Sequence, residues 1–252
     1  MTLPPPPMLE ARGVAYRHDG DFALKDITFE LVPGQVMCIL GANGSGKTTL
    51  YSVLTTGLAP MAGEVYLNGI NAHQFVGRSN ANLVAMPFMM PFNSMNTPYV
   101  FWRTYGARYG MSRKYIAERL AELAPAMHMD KPMHLNHDRL SLGMKQKAAL
   151  VAAFLPEVFL RVIDEPFSGG IDPLAMECLI EWITAARARG ETIVFTSQHI
   201  EHAERLADKV LILNQGRIAA LGSPAEIVAQ MGLSPDEPRA FAQAYIEATE
   251  SS

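Results

Sequence analysis

Three glycines, a lysine and two threonines in Gly41-Ala42-Asn43-Gly44-Ser45-Gly46-Lys47-Thr48-Thr49 have the types and spacing to hold a polyanion. Glycines at 41, 44 and 46 let successive backbone N–H groups turn inward around phosphate oxygens where a side chain would clash. The run Gln35 to Leu40 reads as a buried strand leading into this loop. Leu50 to Leu54 reads as a helix leading out, with its positive end aimed at the same anion. The spacing is that of a phosphate-binding loop and predicts a nucleoside triphosphate ligand. Gly41, Asn43, Gly44, Ser45, Gly46, Lys47, Thr48 and Thr49 form the candidate binding set. Lys47 is expected to reach the β- and γ-phosphates, and the Thr48 hydroxyl to ligate a Mg2+ bridging two of their oxygens.

A phosphate loop alone leaves kinases, GTPases, motors and transporters open, so a second, carboxylate-bearing segment decides more. In Leu160-Arg161-Val162-Ile163-Asp164-Glu165 an apolar strand delivers Asp164 beside the metal. Glu165 follows one residue on, where it could polarise a water for attack on the γ-phosphate. Standing alone, Asp-Glu-Pro is as readily a strand end and a turn. Beside the loop it reads as a metal ligand and a general base. Arg161 is out of pattern, because a strand buried on both faces should be almost wholly apolar and an unpaired interior guanidinium is costly. Its head is expected to reach solvent or an acid.

Leu140-Ser141-Leu142-Gly143-Met144-Lys145-Gln146-Lys147 precedes an Ala-rich helical run and resembles the LSGGQ signature of ATP-binding cassette (ABC) ATPases. Ser168-Gly169-Gly170-Ile171-Asp172-Pro173 follows the Asp-Glu pair as their D-loop does. Thr196-Ser197-Gln198-His199 ends the apolar strand Thr192 to Phe195 where the family carries its switch histidine. Tyr16 stands where its A-loop aromatic stacks on adenine. With these elements in order from about Met8 to Met231, the chain looks like an ABC transporter nucleotide-binding subunit. The resemblance implies an α/β fold, a P-loop NTPase cassette with a RecA-like parallel-sheet core, an antiparallel β layer and an α-helical lobe. It implies ATP and Mg2+ as cofactors, catalysis by Glu165, His199 and Lys47, and nucleotide contacts from Tyr16, Ser141, Gly143 and Asp172. A serine hydroxyl and backbone amides at a helix start make an anion site, although by itself the segment is a helix cap. In the family this site faces the γ-phosphate held by the opposite subunit, so a second cassette, identical or a paralogue, is an expected partner.

Two positions depart from the family pattern. The signature has Leu142 for its first glycine and Met144 for its glutamine, a variant resembling cassettes of bacterial exporters whose permease is a separate chain. Aligning Pro87 and Thr97 on the family's Leu-Pro-Gln to Leu-Thr stretch puts Phe88 where the Q-loop glutamine normally touches magnesium and the attacking water. Phe88 can neither donate nor accept a hydrogen bond. Either Asn93 or Asn96 substitutes from the same loop, or hydrolysis proceeds without that contact.

The 252-residue chain is 49% hydrophobic and 18% charged, a globular composition with enough length for a large core. No apolar run approaches the roughly 20 residues that span a bilayer. Membrane permease subunits are therefore expected as separate chains, with this one peripheral on the cytoplasmic face of the cell membrane. A net charge of −4 without a long basic block argues against nucleic acid as a main partner. Met1 to Pro7 lacks the regions of a secretory signal, and 1–8 reads as a flexible leader. Cys38 and Cys178 read as packing residues, and His134, His137 and Asp138 as loop polar groups rather than a metal site.

Periodicity and punctuation place strands from Leu9 to Phe29 around the turn at His18 to Asp21, and another over Gly63 to Leu67. Parallel strands follow at 158–163, 192–196 and 209–214, with a hairpin at Asn214-Gln215-Gly216-Arg217. The helical lobe is expected over about 88–150, with Ile116, Leu120 and Leu123 on one helix face. The ABC ATPase domain is expected over 9–231 and a helical tail over 232–252. Between Val84 and Trp102 crowd Met86, Phe88, Met89, Met90, Phe92, Met95, Tyr99, Phe101 and Trp102. Unbranched methionines suit a groove for the membrane partner, and core packing is the alternative, at least as good for Phe101 and Trp102. The combined reading is an ATPase that dimerises on ATP and drives a permease, for export. Its rivals are a soluble ABC switch in DNA repair or translation and a regulatory ABC subunit that barely hydrolyses ATP.

Overall fold

The computed structural model describes residues 6–18, 20–75, 83–88, 96–234, 237 and 239–250. Strands β1 (Leu9–His18) and β2 (Asp21–Leu31) precede β3 (Val36–Leu40), helix α1 (Lys47–Leu54), β4 (Ala62–Leu67) and β5 (Ile70–Asn71). After β6 (Leu83–Met86) come three helices, α2 (Pro98–Arg108), α3 (Arg113–Ala126) and α4 (Leu142–Phe154). The chain then alternates through β7 (Leu160–Ile163), α5 (Pro173–Ala188), β8 (Thr192–Ser197), α6 (Ile200–Leu206) and β9 (Lys209–Asn214). It closes with β10 (Arg217–Gly222), α7 (Pro224–Gln230) and α8 (Ala240–Glu250).

These strands form an antiparallel sheet, β2-β1-β4-β5, and a larger sheet, β10-β9-β3-β8-β7-β6, parallel except for its β9–β10 hairpin. Every residue of β3, β7 and β8 is buried, as strands covered on both faces must be. Alternation along β3 separates the two cores. Val36, Cys38 and Leu40 join the cluster built with the helices, while Met37 and Ile39 join the one shared with α1 and the antiparallel sheet. The parallel core, the antiparallel layer and the helices between them match the expected α/β cassette. Met8 is tied into the antiparallel sheet, its N–H donating to Leu31 O at 2.8 Å and its carbonyl accepting from Asn68 N at 2.9 Å.

Part of the methionine and aromatic segment has a packing explanation. Leu83–Met86 is the edge strand of the larger sheet, and its Met86 is buried. Helix α2 carries Phe101 and Tyr105, and its C-terminal capping residue Tyr109 continues them at i, i+4 and i+8 in one stripe. Adjacent rings stand 5.5 and 5.1 Å apart, and the Tyr109 hydroxyl donates to Leu83 O at 3.0 Å. Trp102 is fully buried and its Nε1 donates to Ala148 O at 2.9 Å. Met89, Met90, Phe92, Asn93 and Met95 lie outside the described residues.

Arg161 finds an acid rather than solvent. It is 1% exposed on β7, the strand beside the edge strand of the larger sheet. Its Nε donates to Glu191 Oε2 at 2.7 Å, its other nitrogens reach the carbonyls of Ala153 and Pro156, and it lies over the Phe154 ring. Burial pulls the guanidinium below its ordinary pKa and Glu191 holds it up. Glu191 also accepts from Arg189. Removing one partner leaves an uncompensated charge in the core, so Glu191→Ala should cost roughly 3–5 kcal/mol in urea unfolding. Arg161→Met combined with Glu191→Leu should recover most of that loss, because the replacements remove both charges and refill the volume.

Candidate active site

The loop after β3 closes over the start of α1, where Gly46 caps the helix at φ 108°. A Cβ on Gly46 would stand 2.7 Å from Ala23 O, and one on Gly41 would stand 2.5 Å from both Leu213 O and Ser45 Oγ. Both glycines are required by the close approach of neighbouring backbone. Lys47 is nearly buried; its Nζ donates to Gly41 O at 2.9 Å and to Ala42 O at 3.2 Å, and stands 3.3 Å from Glu165 Oε1. The buried Ser45 hydroxyl has no partner among the described residues, so a ligand in the loop could satisfy it.

Sheet order brings the acid pair to this loop. β8 lies between β3 and β7, with Ser197 level with Leu40 and Phe195 level with Ile163. The buried Thr196 hydroxyl donates to Asp164 Oδ1 at 2.6 Å and accepts from Glu165 N at 2.8 Å. Thr48 donates to Asp164 Oδ2 at 3.2 Å. Glu165 holds φ 46°, a left-handed conformation costly for a residue with a side chain. Its peptide is clamped from the other side too, the carbonyl accepting from Ser168 Oγ at 2.7 Å and Gln146 Nε2 at 3.3 Å.

An open cleft of about 1100 Å³ stands over these groups. Asn43, Gly44, Gly46, Lys47, Thr48 and Thr49 line it from the loop and α1, and Asp164, Glu165 and Ser168 from the end of β7. Pro87 and Phe88, Gln198, His18, Ala23 and Lys25, and the β9–β10 turn through Gln215 and Gly216 complete its walls. An ammonium, a loop of backbone amides and a helix N-terminus fit a chain of phosphates. The adjacent hydroxyl and carboxylate oxygens of Thr48 and Asp164 are the hard donors Mg2+ prefers.

Residues 24–168 match the ABC transporter family. This chain belongs to the ABC transporter ATP-binding family. EcsA of Bacillus subtilis (strain 168), an ABC-type transporter ATP-binding protein, is 30% identical over 226 residues, covering 90% of each chain. The Nod factor export ATP-binding protein I of Rhizobium sp. (strain N33) is 27% identical, over 97% of this chain and 83% of its own. A solved ATP-binding subunit of an ABC transporter superposes with a TM-score of 0.88 at 29% identity, covering 96% of this chain and 99% of that one. ABC ATP-binding chains are transport ATPases, so the cassette binds and hydrolyses ATP.

Not every expected residue reaches the cassette's cleft. Tyr16 does not line it; register shifts on both sides of Tyr16 in the β1–β2 ladder turn its half-buried ring onto the second core cluster. His18, at the hairpin end, lines the cleft instead and meets the Tyr16 ring edge-on at 4.9 Å. Ser141 is exposed and caps α4 by accepting from Met144 N. Gly143 touches the D-loop, where a Cβ would stand 2.7 Å from Gly170 O. Asp172 caps α5 and pairs with Lys147 at 2.5 Å. Exposed His199 caps α6 without lining the cleft, whereas its neighbour Gln198 does line it. Asn96 is exposed too, its carbonyl accepting from His137 N at 3.2 Å, and it is absent from the cleft walls.

The motif segments contain Thr196 and Ser168 but give them no role, which appears only in their bonds to Asp164 and Glu165. Thr196→Val should strand the Glu165 N–H and loosen both carboxylates, lowering stability by about 1–3 kcal/mol in urea unfolding. Turnover should fall at least tenfold by a coupled ATPase assay, with ATP affinity changed less.

His202 stacks on Phe167 with ring centres 4.0 Å apart. Burial first, and then nearby His199, hold its pKa below the ordinary value. The folded chain therefore keeps a neutral imidazole that the unfolded chain protonates. His202's contribution to stability is whole above about pH 6.5 and shrinks as the pH falls through the lowered folded value. His202→Gln should flatten the drop in urea midpoint between pH 7 and 5.

Proposed function

We propose that this cassette works as an ATP-closed dimer that drives separate membrane permease subunits in export, from the cytoplasmic face of the cell membrane. The convergence of Lys47, Thr48, Asp164 and Glu165 on one cleft, with Ser141 and Gly143 outside it, carries the reading. A signature serine that caps its helix away from its own cleft suits a nucleotide held by a second cassette. The likeness to EcsA and to a Nod factor export protein supports a transporter and the outward direction. Among the described residues no helix is long and apolar enough to cross a membrane. The cassette proper is proposed as 9–231, with its helical lobe at about 88–150 and a helical tail over 232–252.

In this reading the loop amides and Lys47 bind and orient the phosphates, and His18 packs against the base in place of Tyr16. Thr48 and Asp164 would hold Mg2+, whose charge would neutralise phosphate oxygens. Glu165 takes the proton of the attacking water, with its peptide positioned by Thr196 and Ser168. Ser141, Gly143 and Asp172 act across the dimer, and His199 meets the γ-phosphate on closure. Phe88 in the cleft wall favours a second reading, a cassette that binds ATP and hydrolyses it slowly.

Glu165→Gln should retain ATP binding while slowing hydrolysis by roughly 100-fold or more, and should accumulate an ATP-bound dimer on size-exclusion chromatography with light scattering. Near-normal turnover in that variant would remove Glu165 as the base. Lys47→Ala should instead weaken ATP binding itself, and unchanged nucleotide affinity would count against its role.

A further inference from the structure

Glu165 holds a left-handed backbone at φ 46°, and a residue with a side chain keeps that conformation only where its surroundings over-determine it. The turn after it supplies little stiffness of its own. Pro166, Phe167 and Ser168 run into Gly169 and Gly170, two consecutive glycines in the left-handed region at φ 78° and 76°. Hydrogen bonds to the Thr196 hydroxyl, the Ser168 hydroxyl and the Gln146 amide clamp the Glu165 peptide. Ser168 belongs to the same turn, so its bond moves with Glu165 rather than anchoring it.

Phe167, one residue before Ser168, is buried and ties the turn to the rest of the fold. Its ring meets Phe195 of β8 edge-on at 5.7 Å and lies against His202 of α6, with centres 4.0 Å apart and planes 20° from parallel. Contact with one ring edge-on and another face to face fixes both its position and its tilt. His202 is itself placed by a seated helix, because Ala203 and Leu206 of α6 are buried in the larger core cluster. Neither the Phe167 ring nor the His202 ring lines the cleft. An effect of His202 on the reaction must therefore pass through Phe167 and its turn.

We propose that His202 is a positioning residue for hydrolysis, its ring clasping Phe167 so that the Glu165 carboxylate keeps its place beside the phosphate loop. The inference rests on Glu165 being the base. Without the clasp the turn is free to swing about Gly169 and Gly170, and the carboxylate shifts against phosphates that Lys47 and the loop amides hold as before. A reacting group displaced by about 1 Å loses on the order of 100-fold in rate. The loss falls on kcat and spares ATP affinity. A flat apolar ring at position 202 stacks on Phe167 as the imidazole does.

The test is His202→Ala in the full chain, with His202→Phe and Glu165→Gln alongside, read as kcat and ATP affinity well below each melting temperature. His202→Ala should lower kcat by roughly 10- to 100-fold, with ATP affinity within about twofold. His202→Phe should keep kcat within about threefold of the parent, since it restores the stack. In single-turnover assays on the Glu165→Gln background, adding His202→Ala should cost no more than about twofold, because both changes act through one carboxylate. If His202→Ala fails to fold, Phe167→Leu, which keeps apolar volume without a flat face, takes its place and should show the same loss. Turnover within about twofold of the parent, a loss shared equally by ATP affinity, a loss that His202→Phe repeats, or a full further loss on the Glu165→Gln background would each overturn the proposal. Failure of the underlying reading looks different. Glu165→Gln alone would then turn over near the parent rate, whereas an inactive Glu165→Gln beside a fully active His202→Ala defeats the role of His202 alone.

Discussion

The position of β8 between β3 and β7 is the constraint on which the site depends. The phosphate loop lies more than a hundred residues before the acid pair and Gln198, and only parallel pairing in this order sets their strand ends side by side. Ligands of open α/β sheets collect at such carboxyl ends because loops there diverge and backbone amides are free. Thr196 makes the constraint chemical. One hydroxyl faces Asp164 Oδ1 and the Glu165 N–H together, so the two acidic residues are held as a unit.

Two further elements are tied to that unit. Helix α4 meets the turn after β7 through the close approach of Gly143 to Gly170 O, the Gln146 bond to Glu165 O, and the Lys147–Asp172 pair. The Lys147 partner, and then the Ala175 N–H, hold the Asp172 carboxyl below its usual range, in keeping with an anion engaged on two sides. A displacement at the start of α4 therefore bears directly on the Glu165 peptide. On the opposite flank the β9–β10 turn donates from Gly216 N to Ser45 O at 2.9 Å. Asn214 in turn donates to Thr249 O of α8 at 2.8 Å, so the last helix braces the turn that braces the phosphate loop.

Strand β7 shows how differently one element can treat its charges. Near its start Arg161 is surrounded by an acid, two carbonyls and a ring, and each of these contacts offsets part of the desolvation cost. Just past its other end Asp164 and Glu165 face a cleft. Glu165 retains a strained backbone and a carboxylate whose close cation among the described residues is Lys47. Full satisfaction suits a group that only has to be stable, whereas a group that must meet a substrate is left with capacity in hand.

The phosphate loop, the Asp-Glu pair, the signature and the β9–β10 hairpin were legible because each is a local spacing, with glycine, proline or charge at positions where the backbone demands them. The parallel core was legible for a similar reason, since doubly covered strands read as continuous apolar runs. The edge strand Leu83–Met86 was not, because a four-residue apolar stretch beside crowded aromatics carries no period of its own. What holds it is tertiary, helix α4 packed against the strand and the Tyr109 hydroxyl on Leu83 O. The orientation of Tyr16 was not legible, because a register shift beside a strand residue turns its side chain to the other face, and such irregularities are set by the partner strand. Sequence alone thus determined which groups could bind a triphosphate. Strand order and register decided which of them share a cleft, putting His18, Thr196 and Gln198 at or beside it and leaving Tyr16, Asn96 and His199 outside, because contacts between distant segments leave no mark on local spacing.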